Sequence, residues 1–225
     1  SWAKLFVIEN SYTYNCMYVT IDVNKFHDGK ADAGMLWVSE QIPGRSKNWD
    51  HTVTLFKERY MPSLNVPRDE ELFTIAGYPK AIDDSKCENF YSYQNSSRAL
   101  IMARDHSKIK SYDDFKRFMR FNDYKKDPLS HGDGGQAIQA RFDLRPDSCL
   151  YCGNSKLCPG YGGGIDAKTT NIKMAQKLQF DAISGPEYET TGEPWEFPGK
   201  WPDMHWDGLP KTWKFGWQQF GPEEF

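Results

Sequence analysis

Residues 16–23 alternate between apolar and polar side chains, and this alternation constrains the fold more than any other feature of the chain. The odd-numbered residues from Met17 to Val23 are apolar and would share one face of an extended backbone. A period of two is typical of a β-strand with one apolar face. Residues 35–42 form a second strand-like segment, from Met35 to Ile42, which follows a turn-forming segment and ends at Pro43. The two runs are predicted to be strands that pair antiparallel.

Several further elements follow from local patterns. Three segments are predicted to be helical: residues 2–9, residues 50–60 with Asp50 as the cap, and the stretch after Ser111, where Asp114 three residues on indicates a capping box. Three more are predicted to be strands: residues 100–102, 165–175 and 178–184. Irregular backbone is predicted for residues 61–97, for a long loop at 127–164 and for an extended tail from Gly185. The sum is an α+β fold with an antiparallel sheet and few helices.

Composition narrows the function classes. The chain has 225 residues, a hydrophobic content of 39% and a charged content of 26%, values that fit a folded protein rather than a disordered one. The formal net charge of -3 offers no basic field, so no nucleic-acid partner is expected. No apolar run approaches the roughly 20 residues that a transmembrane helix needs. With no linker that divides it, residues 1–225 are interpreted as a single domain.

The cysteines favour an oxidising compartment. Cys149, Cys152 and Cys158 lie close together in a stretch rich in Gly and Pro, and they are the candidates for disulfide bonding. Free thiols and a metal site remain alternatives, but a zinc site would need a fourth ligand, so no metal is predicted. Asn95-Ser96-Ser97 is a sequon for N-glycosylation, which makes Asn95 a candidate glycosylation site. Sequon and cysteines together favour a lysosomal or secreted protein.

Aromatic residues make up 15% of the chain and include eight tryptophans. Five of these lie in the tail: Trp195, Trp201, Trp206, Trp213 and Trp217. One interpretation is that they supply buried bulk, and the other is that they form a platform for sugar or lipid.

Sequence motifs of common enzymes are missing. The chain has no Gly-x-Ser-x-Gly nucleophile elbow and no His-Glu-x-x-His zinc motif. Gly160 to Gly164 do not form a dinucleotide fingerprint, because Ile165 stands where the last glycine should be. From its residues alone the chain therefore carries no complete active site, and no cofactor is predicted.

Five short segments nevertheless occur together in one order. They are Asn10-Ser11-Tyr12-Thr13-Tyr14-Asn15, Glu40-Gln41-Ile42-Pro43, Arg120-Phe121-Asn122-Asp123-Tyr124-Lys125-Lys126-Asp127-Pro128, Gly163-Gly164-Ile165-Asp166-Ala167-Lys168 and Ala182-Ile183-Ser184-Gly185-Pro186. Together they resemble the C-terminal part of the phospholipase B-like (laminin-ancestor) family, which has the N-terminal-nucleophile hydrolase fold. The resemblance implies part of a four-layer αββα sandwich with antiparallel sheets. It also implies that the partner of this chain is the N-terminal chain of the same precursor, which carries a Cys nucleophile exposed by self-cleavage.

The resemblance assigns roles to two residues. Asn15 aligns with an Asn that follows an aromatic residue at the start of a strand, and its amide provides N–H donors of the kind that an oxyanion hole needs. Tyr12, Cys16 and Met17 depart from the family pattern around it. Arg98 aligns with a family Pro-Arg-Ala stretch, and an Arg beside a Cys nucleophile would favour the thiolate or hold a substrate anion. Asn15 and Arg98 are therefore the candidate catalytic residues.

The leading hypothesis is a subunit of a processed lysosomal or secreted hydrolase. It would deacylate a lipid or an N-acyl substrate, since N-terminal-nucleophile chemistry suits amides as well as esters. The alternative is a non-catalytic glycoprotein that binds lipid or sugar through the aromatic tail.

Overall fold

The computed structural model describes residues 2–8, 11 and 13–222. Helices and antiparallel sheets are both present, as predicted for an α+β protein. The backbone separates into two compact units, Ser1–Ala99 and Leu100–Phe225. Each unit has buried apolar side chains of its own, for example Leu36 in the first and Ile183 in the second.

The predicted strand pair forms the main sheet of the first unit. β1 (Met17–Ile21) pairs antiparallel with β4 (Leu36–Ile42), and β4 pairs antiparallel with β5 (Arg45–Asp50). Because β4 lies in the middle, its Leu36 and Val38 side chains are fully buried. β1 lies at the edge, and Val19 and Ile21 on its apolar face are 41% and 54% exposed.

Two tight turns complete this region. The turn-forming segment between the predicted strands contains a small hairpin, β2 (Phe26–His27) and β3 (Lys30–Ala31), joined by Asp28-Gly29. Both turn residues have positive φ, which is the geometry that an Asp-Gly hairpin turn favours. Pro43-Gly44 likewise does not end the sheet but turns β4 into β5, a strand that the sequence patterns did not indicate.

The first unit has four helices within its described residues. They are α1 (Trp2–Phe6), α2 (Thr52–Glu58), α3 (Glu70–Ile75) and α4 (Tyr78–Ser85), and a 3₁₀ turn follows at Asn89–Tyr91. The predicted helix at 50–60 is shorter than expected, because Asp50 belongs to β5; its Oδ1 still accepts the Thr52 N–H at 2.9 Å. The prediction of irregular backbone at 61–97 is wrong for α3 and α4. Pro79 signalled a loop but occupies the first turn of α4, where a missing N–H costs nothing.

Two further helices lie at the centre of the chain. α5 (Ser97–Asp105) contains residues 100–102, for which the prediction of a strand is wrong. A run of three apolar residues carries no periodicity that separates a buried strand from a buried helix. α6 (Tyr112–Met119) confirms the capping box: Ser111 Oγ accepts the Asp114 N–H, and the Asp114 carboxylate accepts the Ser111 N–H.

The second unit contains a three-stranded antiparallel sheet, whose neighbouring strands are β12 (Gln218–Phe220), β9 (Phe180–Ser184) and β8 (Asp166–Thr169) in that order. Its strands and the remaining elements are β6 (Leu150–Cys152), β7 (Ser155–Leu157), β8 (Asp166–Thr169), α7 (Ile172–Gln176), β9 (Phe180–Ser184), β10 (Trp195–Glu196), β11 (Thr212–Trp213) and β12 (Gln218–Phe220). The strand predicted for 165–175 ends at Thr169, because Asn171 caps α7 through the Met174 N–H. The tail is not simply extended coil, since it contains β10, β11 and β12.

The prediction of one long loop at 127–164 is wrong for the β6–β7 hairpin, which lies inside it, and the irregular backbone of this segment is held by buried hydrogen bonds. Asn122 is fully buried and donates to the carbonyls of Gly134 and Gln139 at 2.9 and 2.8 Å. Arg145 donates to Asp133 Oδ1 at 3.1 Å, and both side chains are buried. Polar side chains therefore take the place of an apolar core in this loop, as buried backbone that lacks regular structure requires.

Candidate functional site

The first unit contains a cavity of about 490 Å³, a volume typical of small-molecule sites. Its walls come from the residues before β1, the C-terminal end of β4, the segment 63–67, and α3 with α4. Apolar groups dominate the wall, and a few polar side chains interrupt it. These include Asn15, Cys16, Glu40, Gln41, Ser63 and Asn65.

The register of β1 and β4 brings Asn15 to this cavity. Met17 lies opposite Glu40, and the Gln41 N–H donates to the Cys16 carbonyl at 3.4 Å. Asn15 is thus one residue beyond the ladder, exposed, beside the end of β4. The Tyr18 hydroxyl donates to the Tyr14 carbonyl at 2.8 Å and fixes the bend that precedes Asn15. Asn10 and Tyr12 of the same segment lie outside the described residues.

Glu40 joins the end of β4 to the start of α3. It is 3% exposed, and its two carboxylate oxygens accept the N–H groups of Arg68 and Asp69 at 2.8 and 2.9 Å. Burial raises the pKa of this carboxyl group, and the two hydrogen bonds oppose that rise. The neighbouring Gln41 is also buried, and its Oε1 has no hydrogen-bond partner among the described residues.

The irregular segment 62–67 forms one wall of the cavity and is held by side chains from outside it. The Tyr93 hydroxyl donates to the Pro62 carbonyl at 2.6 Å. Arg98 donates from Nη2 to the Leu64 carbonyl and from Nη1 to Asn65 Oδ1, both at 3.0 Å. Glu40 accepts from the N–H groups of Arg68 and Asp69, which directly follow this segment. Tyr93, Arg98 and Glu40 therefore hold the segment although it has no regular structure.

Asn65 is a site residue that the sequence analysis missed. Its φ of 61° lies in the left-handed region, which Asn tolerates better than most residues. An arginine only donates, so the bond from Arg98 identifies Oδ1 as the acceptor and leaves the amide NH₂ as the other end of the group. The cavity wall therefore carries three amide side chains, those of Asn15, Gln41 and Asn65. An Asn before Val-Pro inside an apolar stretch was the available signal.

Arg98 is half-buried and does not line the cavity. Burial lowers the pKa of its guanidinium, which remains a cation because the ordinary value is so high. Its two terminal nitrogens bind the wall segment, so within the first unit it contacts the cavity through Asn65. The structure thus brings Asn15 to the cavity directly and Arg98 indirectly.

A histidine and an arginine lie behind the same wall. Arg68 Nη1 is 3.0 Å from Nε2 of His51, whose side chain is buried. Since the guanidinium only donates, Nε2 accepts, and the imidazole is neutral with its hydrogen on Nδ1. Burial lowers the pKa of His51, and the positive charge of Arg68 lowers it further.

The bonding of the cysteines and the exposure of the sequon bear on the predicted compartment. Cys149 and Cys158 form a disulfide, and Cys87 and Cys152 are disulfide-bonded as well, which fits the prediction of disulfide bonding. Cys16 is a free thiol on the cavity wall. Asn95 is exposed in the turn before α5, so its side chain is accessible, and its glycosylation stays a prediction.

Two kinds of feature are absent from the part of the chain that the structure describes: a metal-binding cluster and a helix that could span a membrane. Within residues 2–8, 11 and 13–222, no three metal-binding side chains gather at one place. No helix in that same part of the chain has both the length and the apolar character to cross a bilayer.

The chain is similar to known proteins along nearly its whole length. The sequence model of the family described as phospholipase B matches residues 1–220. Phospholipase B-like protein B of Dictyostelium discoideum is 37% identical over 228 residues, which cover 98% of this chain and 37% of that protein. Phospholipase B-like 1 of Bos taurus is 35% identical, covering 94% of this chain and 35% of its own length. Putative phospholipase B-like 1 of Caenorhabditis elegans is 38% identical over 82% of this chain. The chain therefore spans little more than a third of the length of these relatives.

Proposed function

The chain belongs to the phospholipase B family, and from this membership we propose that it forms the subunit of a processed hydrolase that supplies the substrate pocket. The observation that carries the proposal is that Asn15 lines the 490 Å³ cavity together with Asn65, whose orientation Arg98 fixes. The amide groups of Asn15, Gln41 and Asn65 on a largely apolar wall suit a substrate that has a carbonyl group next to a hydrocarbon chain.

In this proposal Asn15 stabilises the oxyanion of the tetrahedral intermediate. An Asn amide can donate to an oxygen that gains negative charge during attack, and a donor fixed before the reaction avoids the cost of reorganisation. The end of β4 and the bend at Tyr14 hold the Asn15 backbone, which supports this role. Arg98 acts as a positioning residue through Asn65, rather than at the reacting atoms.

The nucleophile would be a Cys at the start of an N-terminal chain cut from the same precursor. Its free α-amine would take the thiol proton, its sulfur would attack the carbonyl carbon, and the amine or alcohol would leave with a proton. Water would then hydrolyse the acyl-enzyme. With that chain, residues 1–225 would complete one domain, a four-layer αββα sandwich of the N-terminal-nucleophile type. The substrates would be lipid esters or N-acyl compounds.

The proposed location is the lysosome or the exterior of the cell. The disulfide-bonded cysteines support it, because such bonds persist in oxidising compartments. The accessible side chain of Asn95 is compatible with a glycan acquired on that route.

Two experiments test the proposal on the native, unreduced protein. Intact-mass analysis with N-terminal sequencing should find a companion chain that begins with Cys. Asn15→Ala should lower kcat on lipid or N-acyl substrates by about 10²–10³-fold with little change in KM. Asn24→Ala is the matched control, since Asn24 is exposed in the first unit and away from the cavity. A protein that lacks a companion chain and hydrolyses neither substrate class would refute the proposal.

A further inference from the structure

The corner where α3 leads into α4 contributes the most apolar part of the wall of the 490 Å³ cavity. Leu72 comes from α3, Ala76 and Gly77 come from the turn, and Tyr78 and Ala81 come from α4. None of these five residues carries a charge, and only Tyr78 has a polar side-chain atom. The corner is therefore the part of the wall that a hydrocarbon group would contact.

Tyr78 joins this apolar corner to the segment that carries Asn65. Its hydroxyl donates to the Asn65 carbonyl at 3.1 Å, so the one polar side-chain atom of the corner is already bonded. Its ring stacks on Phe73 with centroids 4.9 Å apart, and the ring of Tyr91 meets it edge-on at 6.1 Å. The corner thus lies beside an amide-bearing part of the wall, and two aromatic neighbours hold the Tyr78 ring in place.

The small size of Ala81 leaves room at this corner. Ala81 lies three residues after Tyr78 on α4, and residues at this spacing share one face of a helix. That face is turned to the cavity, because both residues line it. The Ala81 N–H donates to the Gly77 carbonyl at 3.1 Å, so the first turn of the helix fixes the backbone here. A larger side chain at this position would occupy space that the methyl group leaves open.

We propose that the acyl chain of the substrate lies along the α3–α4 corner and that Ala81 sets the length of the chain that the cavity accepts. The inference rests on the proposed function, which supplies the two substrate classes. Lipid esters and N-acyl compounds have in common a carbonyl group and its hydrocarbon chain. The carbonyl group would lie at the amides of Asn15 and Asn65, and the chain would lie against the apolar corner beside them.

Hydrolysis as a function of chain length tests this inference on the native protein. The substrates are p-nitrophenyl esters of straight-chain acids, from acetate to myristate, and the p-nitroanilides of the same acids. Burial of one CH₂ group contributes about a fourfold gain in binding, so kcat/KM should rise by up to roughly fourfold for each added carbon. The rise should stop where the chain outgrows the corner, and it should stop at the same length for esters and amides.

Two variants of Ala81 should shorten the preferred chain. Ala81→Leu adds three carbon atoms to the wall, and since filled space in a close-packed interior is lost to a ligand, the optimum should shift to acids about three carbons shorter. Ala81→Met adds a flexible side chain of similar size and should cause a shift in the same direction, which keeps the test available if the Leu variant does not fold. Hydrolysis of the acetyl substrates should stay within about twofold of wild type, because an acetyl group buries almost no hydrocarbon surface there.

Ala33→Leu is the matched control. It makes the same substitution at an exposed residue of the first unit that is not on the cavity wall, so the chain-length profile should not change. Urea unfolding checks that each variant is folded. Three results would overturn the inference: a wild-type profile that does not rise with chain length, an unchanged profile in the folded Ala81 variants, or an equal loss of activity at every chain length.

Failure of the proposed function would give a different result. If the native protein hydrolyses neither substrate class, calorimetric affinity for straight-chain 2-alkanones replaces kcat/KM in the same comparison, since these ketones carry a carbonyl group and a chain but no bond to hydrolyse. A preferred ketone length that becomes shorter in Ala81→Leu would support the inference although the hydrolase proposal had failed. Ketone affinity that depends neither on chain length nor on residue 81 would overturn the inference itself.

Discussion

Arg98 offers the sharpest test of how the first cavity works. Its fork binds the Leu64 carbonyl and Asn65 Oδ1, each at 3.0 Å. Leu64 is 1% exposed, so removing the Arg leaves a buried carbonyl without this partner, whereas the exposed Asn65 regains water. A hydrogen bond from a charged donor to a buried acceptor contributes about 1.5–3 kcal/mol, so Arg98→Met should lower the free energy of unfolding by about 2 kcal/mol.

The kinetic effect separates positioning from charge. If Arg98 acts by holding Asn65, Arg98→Lys should lose activity as Arg98→Met does, because an ammonium group cannot bind both acceptors in one fixed geometry. A side chain displaced by about 1 Å costs up to roughly 10²-fold in rate, so we expect kcat/KM to fall by about 10- to 100-fold in both variants. The pH dependence of kcat/KM should keep its shape in both variants, because a positioning role does not depend on a charge beside the nucleophile.

The assay pairs urea unfolding with hydrolysis kinetics on the native protein. Arg104→Met is the matched control: Arg104 pairs with Asp105 and Asp127 in the second unit, so its loss should lower stability and leave kcat/KM unchanged per folded molecule. An Arg98→Lys variant with wild-type kcat/KM, beside an inactive Arg98→Met variant with an altered pH profile, would refute the positioning role. It would favour a direct effect of the positive charge on a thiolate or a substrate anion.

Three further predictions follow from the electrostatics and the cross-links. Because the pKa of His51 is depressed in the folded protein, its stabilising contribution is present above its ordinary pKa of 6.5 and is lost as pH falls through the folded-state pKa. The free energy of unfolding, measured between pH 4 and 8, should show this loss. The loss should be absent in His51→Gln. The Ser111 hydroxyl, with the Lys110 N–H, lowers the pKa of Asp114 to about 2, so its contribution is present above 3.8 and is lost as pH falls through 2; an NMR titration midpoint near 3.8 would contradict the capping box. Replacing Cys149 and Cys158 by Ser should lower the free energy of unfolding by about 2–3 kcal/mol in urea, since the bond closes a short loop, and no change would mean that the loop is held by its buried polar bonds alone.

The elements that were predicted correctly are those with a strong local cause. The alternation at residues 16–23 predicted a strand that the structure has over Met17–Ile21, with a 3₁₀ turn beginning at Val23, and the reciprocal bonds of Ser111 and Asp114 start a helix within four residues. The order of the five short segments likewise indicated the phospholipase B family, to which the chain belongs. Each of these patterns depends on residues that are neighbours in the sequence, and it could therefore be recognised from the sequence alone.

The failures share a different cause. Residues 100–102 lie inside α5, which extends beyond them on both sides. Three apolar residues alone do not indicate whether they belong to a strand or to a longer helix. Pro79 lies in the first turn of α4, after Gly77 in a left-handed conformation, and a proline by itself does not distinguish a helix start from a loop. In both cases the context that decides the structure lies outside the short motif.

The sequence by itself determined the fold class, the β1–β4 pairing, the capping box and the family, because each depends on local periodicity or on a run of residues. Only the tertiary structure decided that Asn15 and Asn65 share a cavity 50 residues apart in the chain, that Arg98 reaches this cavity through Asn65, and that Trp195 and Trp213 enclose a space. These contacts join side chains that are distant in the sequence and come together only in the folded chain. A local sequence pattern therefore cannot predict them.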